Sequence, residues 1–135
     1  MNNPDEDLKH LSLLATFHYV LGGVTAFFAC IPLIHVAMGF LMLLFGIFSN
    51  EFVPAFFSLI FIFMGGFFSV MGWTLAACMI FTGRNLNRKT HYKFCFALAC
   101  VECIFMPFGT VLGVLTIIVL SRDSVKKLFS EKAAP

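Results

Sequence analysis

Charge is the commodity this chain lacks, and its scarcity decides the class of protein. Of 135 residues, 12% are charged and 60% hydrophobic. Between Lys9 and Arg84 the only formal charge is Glu51, and between Lys93 and Arg122 it is Glu102. A soluble domain carries roughly twice that charged fraction. A water-soluble fold of this length also has no core large enough to enclose 19 phenylalanines. Uncharged runs of about 18 residues or more are expected to cross a membrane. In hydrocarbon the backbone must satisfy its own hydrogen bonds, so the spans are expected to be helices. Runs such as 56–64 do not alternate polar with apolar, which excludes a barrel.

Other absences narrow the functions. A net charge of +2 is too small and dispersed for a nucleic-acid surface. The acidic start (Asp5, Glu6, Asp7) lacks a basic leader region, so the first apolar block is expected to belong to the mature protein. The five cysteines all fall in apolar blocks and imply no disulfide framework. No nucleophile–base pair, paired carboxylates or phosphate loop is visible, so an enzyme is not expected.

What is present reads as an all-α, polytopic helical membrane protein with four or five apolar helices. A polar segment, 1–9, precedes a single transmembrane domain, 10–121, and a basic tail, 122–135. The helices are expected at about 10–30, 33–48, 54–82, 88–105 and 109–121. Pro32 breaks the first long run by a turn or sharp kink, because proline removes a donor and clashes with the preceding turn. Pro54 starts the third helix and Gly83 closes it. Pro107, followed by Gly109, breaks the last run into a hairpin. The two proline breaks are either a faint internal repeat or a coincidence of apolar sequence.

Arg84, Arg88, Lys89 and Lys93 lie in the loop 83–93, and Arg122, Lys126, Lys127 and Lys132 lie in the tail. Basic flanks face the cytosol. Both segments are therefore expected there, and 94–121 must cross an even number of times or dip and return. The amino terminus is outside if both arms around Pro32 span, and inside if the second only dips. Its acids lean slightly outward.

The closing pattern Met106-Pro107-Phe108-Gly109-Thr110-Val111-Leu112-Gly113, with Val125-Lys126-Lys127-Leu128-Phe129 after it, resembles the carboxyl end of small bacterial polytopic membrane proteins of unknown function. His18-Tyr19 and Pro32-Leu33-Ile34-His35 are similar to the front of the same group. The resemblance covers most of the chain through apolar motifs. It implies a bacterial cytoplasmic membrane and no particular activity.

Small residues recur at helical spacing: Gly22, Ala26 and Cys30 in the first helix; Gly65, Ser69, Gly72 and Ala76 in the third; Gly109 and Gly113 in the last. Such stripes let helices approach closely in lipid, either inside one bundle or between copies. For Gly109 and Gly113 the tight hairpin favours the first. Glu102 is the candidate proton or cation group, since an ionisable side chain within a span is costly. Its alternative is a structural role near interfacial water at the Pro107 bend.

His18 lies roughly 21 Å along its helix from Pro32, whereas His35 is less than a turn past it, so the two are not expected to share a haem. His18 is expected to hydrogen-bond within the bundle. Cys100, Glu102, Cys103 and Met106 form a soft-ligand grouping without recognised metal spacing, and no metal or cofactor is assigned. The tail 125–129 reads as an amphipathic surface anchor. Trp73 falls mid-span without a special role.

Three functions stay open at this point. The first is a non-catalytic structural, accessory or assembly component, with the bilayer and other membrane proteins or its own copies as partners. The second is a small oligomeric transporter or channel using Glu102. The third is a cysteine- and histidine-based metal or redox protein.

Overall fold

A computed structural model describes residues 4–49, 52–104 and 108–133. Those residues form six helices and no strand: α1 (Pro4–Phe28), α2 (Leu33–Ser49), α3 (Phe52–Arg88), α4 (Tyr92–Glu102), α5 (Phe108–Leu120) and α6 (Asp123–Ala133). Two stretches are long and apolar enough to cross a membrane, Glu6–Ser49 and Phe56–Arg88. A third arises only if α5 and α6, bent by 76°, are counted together. The coarse expectation of a helical protein with membrane-crossing segments therefore holds, while the finer count of four or five spans does not emerge. With 11 and 13 residues, α4 and α5 are about 16 and 20 Å long, short of the roughly 30 Å hydrocarbon layer.

The chain divides into two compact units, 24–76 and the combination of 1–23 with 77–135. In the first, 24–49 runs antiparallel to 52–76. The seam is set by side chains small enough to bring backbones together. A Cβ on Gly72 would lie 2.6 Å from the Ala29 Cβ, one on Gly65 would lie 2.7 Å from the Pro32 carbonyl, and one on Gly39 would meet Ile62. The Pro32 break is real but is not a hairpin turn. Helix α1 ends at Phe28 and α2 resumes at Leu33, and the link is carried by i→i+3 bonds from Cys30 N to Phe27 O and from Leu33 N to Cys30 O. The carbonyl that the missing Pro32 donor would strand, Phe28 O, accepts instead from Ile31 N at 3.0 Å, so the helical direction continues through the break.

The second unit holds the buried core, with Leu11, Leu14, Leu86, Cys95, Leu120, Val125 and Phe129 packed together. Here α4 and α5 lie side by side, and a Cβ on Gly113 would collide with the Ala99 carbonyl and sit 2.8 Å from Cys103 Sγ. Thr110 Oγ1 donates to Cys103 O at 3.0 Å, tying the start of α5 to the end of α4. Pro107 itself lies outside the described residues.

Gly83 does not close α3, which runs on to Arg88. Its bare Cα is used for contact, since a Cβ there would approach the Ala15 carbonyl at 2.9 Å. The helix ends with Lys89 in the left-handed region at φ 56°. Thr90 N donates to Asn85 O and Lys89 N to Leu86 O, the paired bonds of a Schellman cap built without glycine. The basic loop is correspondingly shorter than 83–93. In the tail, Val125 and Phe129 of α6 are buried in the core.

Candidate functional site: a buried histidine–glutamate pair

The inward face of α1 carries Asp7, Leu11, Leu14, His18 and Gly22, at spacings of three and four that keep them on one side of a 3.6-residue helix. Two of these five are ionisable. The inward face of α4 carries Cys95, Leu98, Ala99 and Glu102 at the same periodicity. Where these faces meet, His18 Nε2 stands 3.1 Å from Glu102 Oε2, with both side chains fully buried.

His18 Nδ1 lies 2.8 Å from the Leu14 carbonyl of its own helix. A carbonyl only accepts, so the proton belongs on Nδ1 and the ring is held in that tautomer. Nε2 is then the ring nitrogen turned toward Glu102. The 3.1 Å approach is within ion-pair reach, but it lacks hydrogen-bond alignment, and both Glu102 oxygens have no hydrogen-bond partner among the described residues. Thr82 Oγ1, on the buried face of α3, is likewise without one. Thr116 of α5 satisfies itself by donating to Leu112 O at 2.7 Å.

A second polar cluster involves the ends of the chain. Arg122 Nη1 donates to Asp7 Oδ1 at 2.8 Å, and Ser124 Oγ donates to Asp7 Oδ2 at 2.5 Å. Asp7 belongs to the polar segment ahead of the apolar run. The Ser124 hydroxyl first, and the Arg122 guanidinium second, hold its carboxyl below the usual range.

The other sequence candidates fall as follows. Gly65, Ser69, Gly72 and Ala76 lie along one face of α3, where Gly65, Ser69 and Ala76 are buried and Gly72 abuts Ala29. Gly22 is buried and Ala26 half-buried, while Gly109 and Gly113 are buried in α5. His35 is exposed and stacks on Phe61 at 6.0 Å. His18 and His35 fall in different units. Cys100 is exposed and Glu102 buried, on opposing sides of α4, and Met106 lies outside the described residues. No group of three metal-ligating side chains comes together among the described residues.

The sequence marks Glu102 as a costly intramembrane group and His18 as a bundle hydrogen-bonder, but not that the two meet. Nor does it mark Asp7 as a partner of Arg122. Face periodicity was the available clue, since Asp7 and His18 interrupt the apolar face of α1 at helical spacing.

Fold and site together define a class: an all-helical chain with two segments, or three with the bent pair, able to cross a membrane, and an ionisable pair enclosed among its helices. Comparison with family models, curated proteins and solved structures returns no match.

Proposed function

We propose that this chain is an integral membrane protein acting as a non-catalytic structural, accessory or assembly component through helix–helix contacts. The observation that carries this reading is the surface of unit 24–76. Its seam is made of small residues, while Phe27, Phe48 and Phe63 project outward at 72%, 87% and 78% exposure. An outer wall of large apolar side chains offers contact area to lipid and to neighbouring helices. A photo-crosslinking residue at Phe63, activated in the native membrane, is expected to yield a discrete adduct with a membrane protein. Adducts with lipid alone would remove the reading.

The membrane is proposed to be the cytoplasmic membrane of a bacterium, in keeping with the resemblance of the closing motif. The basic stretch before α4 and the tail are placed on the cytosolic side. The Asp7–Arg122 pair supports putting the amino terminus there too, since groups 2.8 Å apart do not lie on opposite sides of a bilayer. This replaces the outward lean suggested by the acids alone.

A second reading, proton or cation handling at Glu102, is favoured by the 3.1 Å approach of His18. Flux of protons into proteoliposomes is its test. Equal flux through Glu102→Gln and parent protein would dispose of it.

A further inference from the structure

Beside the start of α4 lies a groove of about 610 Å³, formed where α4 meets α6. His91, Lys93 and Lys126 supply its polar rim, and none of the lining residues is acidic. Tyr92, Phe94 and Phe129 supply its aromatic wall. We propose that this groove binds the phosphodiester headgroup of an anionic glycerophospholipid. The proposal rests on the membrane placement argued above and adds a ligand to it.

Charge complementarity identifies the occupant. Lys93 and Lys126, on two different helices, line one opening, and an anionic phosphate is the lipid chemistry that matches two lysines. Lys126 also contacts Asp123 at 3.2 Å, an exposed pair that is worth little and yields readily to a phosphate. His91, at the N-cap of α4 in a left-handed conformation and without a side-chain cap bond, lines the same opening.

The wall is built to persist. Tyr92 donates its hydroxyl to Leu120 O at 3.0 Å, and its ring meets Phe129 edge-on at 5.7 Å. Phe94 meets Phe81 edge-on at 5.4 Å. Helix α6 is held by the Arg122 and Ser124 bonds to Asp7 and departs from the α5 axis by 76°. A charged helix turned this far from an apolar one suits the headgroup layer, where a phosphate meets the lysines and the upper acyl chain meets the phenylalanines.

The test uses the full chain in nanodiscs of phosphatidylcholine with and without phosphatidylglycerol, and reads retained lipid by native mass spectrometry after mild release. Phosphatidylglycerol is expected to be retained in preference to phosphatidylcholine. The K93A/K126A double variant is expected to weaken that retention about thirtyfold, the weight of two lysines at an anionic surface. K93R/K126R is expected to keep it. K9A/K127A removes the same charge away from the groove and is expected to leave it unchanged. An equal loss in K9A/K127A, no preference between the two lipids, or displacement by millimolar inorganic phosphate would each overturn the site. Failure to enter nanodiscs would instead overturn the membrane placement beneath it. Should K93A/K126A misfold, K93Q/K126Q carries the same comparison.

Discussion

At the scale of single residues, the interior of this protein is defined by polar groups placed where apolar ones would be ordinary. His18 and Glu102 occupy core positions, and among the described residues neither His18 Nε2 nor the Glu102 carboxyl has a hydrogen-bond partner to stand in for the other. Removing one member leaves a buried ionisable group alone, which costs about 3 kcal/mol or more. His18→Ala and Glu102→Ala should each lower unfolding stability in detergent by about that amount. The His18→Leu/Glu102→Leu double variant should lose less than the sum of the corresponding single leucine variants. Strict additivity across that cycle would show that the two side chains do not interact. Asp7 offers a pH test. Its folded carboxyl sits below the ordinary value, so its contribution is present above roughly pH 4 and is lost as pH falls through the depressed value. Asp7→Asn should cost about 2 kcal/mol at neutral pH and flatten the acid limb of a stability–pH profile. A variant as acid-sensitive as the parent would assign that limb to another group.

At the scale of elements, the prolines and glycines have roles that chemistry alone left open. Pro32 interrupts hydrogen bonding without reversing the chain, because i→i+3 bonds bridge the gap. Gly83 provides proximity to α1 rather than a helix end. The end falls to Lys89, whose left-handed backbone is costly for a residue with a Cβ by about 1 kcal/mol. Lys89→Gly is therefore expected to stabilise the protein by about that amount, read as a raised thermal midpoint. A lowered midpoint would mean that the lysine side chain contributes more than the strain removes. Helix boundaries were thus only partly legible: the terminator at 83 was visible as a residue type, but its use depended on what stood opposite.

At the scale of the whole molecule, pairing constrains the proposed orientation. Asp7 joins Arg122 and Ser124, so the two ends share a compartment, which the proposed topology, resting on positive-inside asymmetry, makes the cytosol. Single cysteines substituted at Lys9, Lys89 and Lys127 in a background lacking the native cysteines should all resist a membrane-impermeant thiol reagent in intact cells. They should react once the membrane is opened. Labelling of one position alone from outside would break this topology.

Membrane character was legible from sequence alone, because hydrophobicity adds up locally: long uncharged runs between Lys9 and Arg84 exclude water whatever they pack against. Helix was legible for the same reason, since the backbone in lipid has few ways to satisfy itself. Tertiary structure alone decided that His18 faces Glu102, that Asp7 meets Arg122, and that the chain continues through Pro32. Those outcomes depend on which faces of distant helices meet, and a one-dimensional pattern shows that a face exists without showing what it touches.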